Sequence, residues 1–295
     1  MLDFKKIEIS DLDIFEKFLA NDNELSCENT FVNIFVWQNL YNYKFAVKDD
    51  LLFLVSEEDG KRIFRLPFGK DLEHGIDLIF EHCGGKLPYF WMPDGEAYRR
   101  LPGSFKDIYE ISEDRDSFDY LYLRKDLAEL GGKKYHSKRN HISRFSKEFQ
   151  WEYRPITKEN IPEIQKCADE WYEKSIEKVD KYALVEKCGI EFILQHLDLL
   201  KIKGGAIFVD NKAVAFTLGS ASNSYVFNIY VEKALPEFAA AYTVINKEFA
   251  ANELYDYEYI NREDDMGLEG LRRAKLSYKP IALVKKYYCI PKEKV

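Results

Sequence analysis

The sequence predicts an α/β protein (α+β) of two tandem domain-sized halves, each a mixed, mostly antiparallel sheet flanked by helices. Three observations point there. At 295 residues the chain is longer than one hydrophobic core usually serves. Short apolar runs bounded by turn residues recur along its whole length, separated by stretches with helical apolar spacing. Near Gln150 a long basic helix gives way to a fresh strand, which divides the chain into 1–150 and 151–295.

The first half opens with a helical pattern over Ile9–Ala20 and continues with strands at Tyr41–Val47, Leu51–Glu57 and Arg62–Phe68. Helical spacing follows at Leu72, Ile76, Ile79 and Phe80, with further strands at Leu87–Met92 and Phe118–Leu123. From Gly132 to Phe149 the residues Tyr135, Ile142, Phe145 and Phe149 fall on one helical stripe. The second half starts with a strand at Trp151–Ile156 and helices at Ile161–Tyr172 and Tyr182–Leu200. Gly204–Asp210, an Asp-Asn-Lys turn and Ala213–Ser222 form a hairpin, and Ser224–Glu232 adds a third strand. A helix opened by Pro236 carries Phe238, Ile245 and Phe249 on its buried face. A strand at Tyr255–Asn261, a short helix at Met266–Ser277 and a last strand at Ile281–Cys289 complete the order.

Composition excludes several classes. With 46% hydrophobic and 32% charged residues the chain is globular. No stretch approaches the roughly 18 continuous apolar residues of a membrane span, and the start lacks the apolar core of a signal peptide, so a cytoplasmic location is expected. Five scattered cysteines form no C-x-x-C pair, and no ligand set has metal-binding spacing. The net charge of −8 argues against general adhesion to nucleic acid, so an anion site must be local. Two segments free of acids supply the cations: six Lys/Arg within Gly131–Lys147 and seven within Leu271–Lys292.

Two motifs, GGKKYHSKRNHISRF (Gly131–Phe145) and NREDDMGLEGLRRAKLSYKP (Asn261–Pro280), stand inside an element order similar to that of a GNAT-type acyltransferase. They resemble signatures of a bacterial family related to the C-terminal domain of phosphatidylglycerol lysyltransferases, which carries two GNAT-like halves. The resemblance implies a transferase that moves an acyl or aminoacyl group to an amine or hydroxyl of a small molecule or peptide. Acyl-coenzyme A and aminoacyl-tRNA are the implied donors, with tRNA then a partner. The connection Glu232–Tyr242, where GNAT enzymes carry a glycine-rich coenzyme A loop, has no glycine and holds Glu232 and Glu237. That speaks against coenzyme A and keeps a second function open, a non-catalytic binding module on a transferase fold.

Candidate residues come from both motifs. His136 and Asn140 share the polar face of the basic helix, and His136 is a candidate proton shuttle. Lys138 and Arg139 lie at the edges of its apolar stripe, where a cation needs a partner or a bound anion. In the second motif Asn261, Arg262, Asp265 and Lys275 are candidates to hold substrate, and Asp264 or Asp265 to cap the short helix. Glu263 is the candidate base, and Tyr278 stands where the resemblance implies a tyrosine that protonates the leaving group.

Overall fold

The computed structural model describes residues 1–19, 25–58, 60–93, 98–99, 101, 103–175 and 180–292. The chain forms two compact units, one of Met1–Asp119, Asp264–Leu268 and Val284–Val295, the other of Tyr120–Glu263 and Glu269–Leu283. The change of unit therefore falls at Asp119–Tyr120 rather than near Gln150, and the chain returns twice to the first unit.

In the first unit, helices α1 (Leu12–Leu19) and α2 (Phe31–Tyr41) precede strands β1 (Lys44–Lys48), β2 (Leu51–Glu58) and β3 (Lys61–Phe64). Ala20, the end of the expected first helix, lies outside the described residues. Asp49 and Asp50 both take positive φ, which closes β1 and β2 into a two-residue hairpin. Helix α2 takes up Tyr41, which the strand pattern claimed. Thr30 caps the helix through its side chain, and Asn42 ends it in the left-handed conformation. Helix α3 (Leu72–His82), capped by Asp71, leads to β4 (Tyr89–Met92), the short helix α4 (Phe105–Ile108) and β5 (Tyr109–Glu113). The sheet closes with β13 (Tyr287–Pro291), in the order β1-β2-β3-β4-β13-β5. Only β3 and β4 run parallel among its pairs. Phe53, Phe64, Phe90, Ile76 and Ile79 pack its core.

The second unit contains β6 (Asp119–Leu123), whose first residue belongs to the first unit, α5 (Arg124–Glu129), the basic helix α6 (His136–Glu148), β7 (Trp151–Pro155), α7 (Ile161–Ser175) and α8 (Lys181–Gln195). Then follow β8 (Lys203–Val209), β9 (Lys212–Ala221), β10 (Val226–Ala234), α9 (Ala241–Asn252), β11 (Tyr259–Asn261), α10 (Glu269–Leu276) and β12 (Ala282–Val284). The seven-stranded sheet has the order β12-β6-β11-β10-β9-β8-β7. Helix α9 lies on one face, where Phe249 and Ala250 meet Phe227, Ile229 and Ile260. Both sheets are mixed and mainly antiparallel, which is the fold class the sequence predicts.

Two expectations need correction. The final strand Ile281–Cys289 is two strands in two sheets, β12 beside β6 in the second unit's sheet and β13 between β4 and β5 in the first. The break falls at Lys286, whose side chain is fully buried in the first unit, where Nζ meets Asp119 at 2.7 Å and Glu28 at 3.2 Å. The short helix begins at Glu269 rather than Met266, and neither Asp264 nor Asp265 caps it. Met266 and Gly267 take φ of 51° and 72°, which no α-helix admits, and Asp265 accepts the Gly267 N–H instead.

Burial by itself would discharge Lys286. Asp119, with Cys27 and Glu28, outweighs burial and holds its pKa well above the ordinary lysine value. Beside it Arg65, 3% exposed, donates to the Glu28 carbonyl at 2.7 Å and to Asn29 Oδ1 at 3.1 Å. Asp119→Asn leaves the lysine charge without its nearest counter-charge and is expected to destabilise the protein by about 3 kcal/mol. Urea unfolding of the variant at neutral pH checks this.

Candidate functional site

The second unit's sheet parts at one place. Strand β11 runs parallel to β10 for three pairs only, Val226 to Tyr259, Phe227 to Ile260 and Asn228 to Asn261, and then ends. Strand β10 continues to Ala234, paired with β9 alone, and its register shifts between Ile229 and Val231. Beyond the bulge β10 has a strand on one edge only.

Arg262, the first residue after β11, reaches back across this gap. Its Nη2 lies 2.6 Å from Glu232 Oε1 on β10, and the two side chains are 11% and 10% exposed. Glu232 Oε2 accepts from Asn246 Nδ2 of α9 at 3.1 Å. Burial opposes the Arg262 charge, but Glu232 together with Tyr122 and Tyr278 outweighs it and raises the pKa. The guanidinium rests 4.7 Å from the centre of the Tyr278 ring and 5.6 Å from that of Tyr122. Its Nη1 is buried with no hydrogen-bond partner.

A second cation meets the same ring. Lys138 of α6 is 9% exposed, and its Nζ stands 3.6 Å from the Tyr278 ring centre. Among the described residues no carboxylate pairs with it. Burial lowers its pKa to about 8; Arg262 adds to the shift and Glu232 opposes it. Tyr278 is 5% exposed, its hydroxyl lies 3.4 Å from Thr243 Oγ1, and burial raises its pKa, so the phenol stays protonated at neutral pH. Tyr135 donates to the Tyr278 carbonyl and Tyr122 to the Lys275 carbonyl, which fixes the segment behind the ring. Two buried cations thus meet at one ring, and among the described residues only Arg262 is paired with a carboxylate.

The chain matches the family model described as phosphatidylglycerol lysyltransferase, C-terminal, over residues 22–290. It belongs to that family. A conserved protein of unknown function from Bacteroides thetaiotaomicron has 35% identity and a TM-score of 0.90, covering 99% of this chain and 100% of that one. The structure of L-PGS from Bacillus licheniformis is similar in fold, with 16% identity and a TM-score of 0.66 over 99% of this chain and 95% of that one. An uncharacterised protein of Mycoplasmoides gallisepticum is 25% identical over 185 residues, 61% of this chain and 58% of that protein. The chain therefore spans just over half the length of that curated relative.

Within this member of the lysyltransferase C-terminal family, the two sequence motifs meet through few of their residues. Lys138, Arg262 and Tyr278 come together, and Lys275 donates to the Arg262 carbonyl from behind. Glu263 is next to Arg262, half-buried at φ 55°, with its N–H on Asn261 Oδ1 at 2.7 Å. Asn261 is fully buried beside Asn228 on the face away from α9, since Phe227, Ile229 and Ile260 alternate with them toward it. His136 and Asn140 lie outside the cluster, exposed and 3.2 Å from each other. Arg139 is also exposed and donates to the carbonyls of Leu130 and Gly132, which α5 leaves open at its end. Asp265 belongs to the first unit, where it pairs with Arg115 at 3.3 Å.

Sequence reasoning missed Glu232 as a partner, reading it only as a charge unsuited to phosphate. It also missed Asn228, whose amide is buried with no hydrogen-bond partner for either atom. Its one signal was a lone amide in the apolar run SYVFNIYVE.

Lys138 carries a testable pH signature. Its folded pKa of about 8 lies below its ordinary 10.5, so between these values the unfolded chain binds more protons and stability rises with pH. Below pH 8 both states are charged, and the folded state bears the whole cost of burying the ammonium. Lys138→Met is therefore expected to be more stable than wild type at about pH 7, with that advantage shrinking toward pH 10.5. Denaturant melts of both proteins across the range measure it.

Proposed function

We propose that this protein is an acyl- or aminoacyltransferase whose anionic donor is held at Lys138 and Arg262. The observation that carries the reading is the charge balance around Tyr278: two buried cations, one carboxylate, and an Arg262 Nη1 without an acceptor. A phosphate or carboxylate oxygen would meet both needs at once. The fold and family membership support this reaction class.

In this reading the acceptor amine attacks the donor carbonyl at the open edge of β10, where backbone N–H groups face the developing oxyanion. Glu263 takes the proton from the amine. The Tyr278 phenol, protonated at neutral pH, gives one to the departing oxygen or sulfur. The new bond is an amide, and the bond that breaks is the donor's ester or thioester.

Aminoacyl-tRNA is the preferred donor. The turn from Leu235 to Ala240 lacks the glycine a backbone needs to wrap a pyrophosphate, and Glu237 within it is tied to Lys174 at 2.5 Å. That same turn favours the second reading, an anion-binding module without turnover.

Transfer of a labelled amino acid from aminoacyl-tRNA to a panel of amines, with coenzyme A thioesters in parallel, tests the proposal. Lys138→Ala should weaken donor binding by about 1–3 kcal/mol without loss of stability. Glu263→Gln should leave donor binding intact and lower turnover. Donor binding without transfer in wild type would support the binding module, and unchanged affinity in Lys138→Ala would remove the anion site.

A further inference from the structure

The first unit holds a separate cavity of about 180 Å³ on the face of its sheet formed by β1, β2 and β3. Cross-strand register builds it. Lys44 is opposite Val55, Val55 opposite Phe64, and Glu57 opposite Arg62, so these side chains emerge on one side. The N-terminal segment covers them with Leu2 and Phe4, and α3 contributes His82, its last residue. Phe4 packs edge-on against Phe64 and His82, with ring centres 6.0 and 5.3 Å apart, which gives the cavity an aromatic floor.

The rim is polar and its charges are not spent on one another. Glu57 and Arg62 are register partners, yet among the described residues they form no ion pair, and neither Arg62 nor Lys44 has a carboxylate partner. Glu57 Oε2 accepts only a neutral donor, Asn42 Nδ2 at 3.2 Å. His82 adds no charge: burial, then Arg62, lowers its pKa, and Nδ1 accepts the Leu2 N–H at 3.3 Å, which leaves the ring proton on Nε2. Two cations and one carboxylate therefore ring an apolar floor.

We propose that this cavity binds a free α-amino acid with a compact apolar side chain, its carboxylate on Arg62 and Lys44, its ammonium on Glu57 and its side chain against Leu2, Phe4 and Phe64. The size fits. A cavity of about 150 Å³ accepts one benzene ring, so this one takes a valine- or leucine-sized side chain with the charged head at the rim. A plain anion would use the cations and leave Glu57 repelling it, whereas an α-amino acid satisfies both signs. The site lies in the unit that does not contain the Lys138–Arg262 cluster, and it stands whether or not that cluster is catalytic.

Calorimetric titration of the full chain with L-leucine is the test. Single-site binding is expected. Arg62→Ala and Glu57→Gln should each weaken it about tenfold, and both variants should melt like wild type because the two side chains are exposed. On wild type, L-leucine amide, which lacks the carboxylate, and 4-methylpentanoate, which lacks the ammonium, should also bind about tenfold more weakly. Three outcomes overturn the proposal: no binding of L-leucine, wild-type affinity in both variants, or 4-methylpentanoate binding as tightly as L-leucine.

Discussion

The architecture of the second unit turns on one ion pair, Arg262 with Glu232, closed across the gap where β11 has ended and β10 runs on. A parted sheet would ordinarily expose backbone and collapse onto the opening. Here the opening is held by a side chain from each lip, with Asn246 of α9 fixing the far oxygen of the carboxylate. Because both side chains are nine-tenths buried, the pair is not a dispensable surface bridge; removing either partner strands the other's charge in an apolar setting. Tyr122 and Tyr278 line the guanidinium with π-faces, which lets an aromatic core tolerate a charge.

That construction explains why so much of the fold was legible in sequence and the site less so. Strand and helix identities follow from local apolar periodicity, and β8, β9 and β10 stand about where the alternation puts them, whereas Pro236 opens a separate 3-10 turn over Pro236–Phe238 and α9 starts only at Ala241. Long-range pairing carries no such local mark. Nothing in Phe118–Leu123 tells that this strand inserts between β12 and β11, so the break between units at Asp119 was invisible to spacing alone. The segment Ile281–Cys289 reads as one strand because Lys285 and Lys286 look like ordinary solvent-facing residues. Only the tertiary fold supplies Asp119 and Glu28, which draw Lys286 inward and split the strand.

Helical geometry set Lys138 and Arg139 apart from their neighbours, and the fold then separates the two by about a hundred degrees of helix. Lys138 turns beneath α6 to the Tyr278 ring, whereas Arg139 closes the end of α5 through the Leu130 and Gly132 carbonyls. Sequence could name both as cations needing a partner. It could not say that one partner is a pair of main-chain oxygens, since those are supplied by where a preceding helix stops rather than by any residue type.

The two units bury lysines in opposite ways, and the contrast bears on which one serves a ligand. Lys286 is surrounded by acids within 3.2 Å, and their attraction exceeds the cost of burial, so its pKa rises. Lys138 has an aromatic face and a second cation near it, attraction falls short of the cost, and its pKa drops to about 8. A charge retained for stability would be expected to resemble the first case, since an uncompensated buried ammonium only subtracts from folding free energy. A lysine kept in the second state lowers stability at neutral pH, and under the proposed function a bound anion would offset that deficit. In Lys138 the cost of burying the ammonium and the affinity proposed for an anion would have one electrostatic origin, which is why this lysine, rather than Lys286, is the one the proposed function assigns to an anionic group.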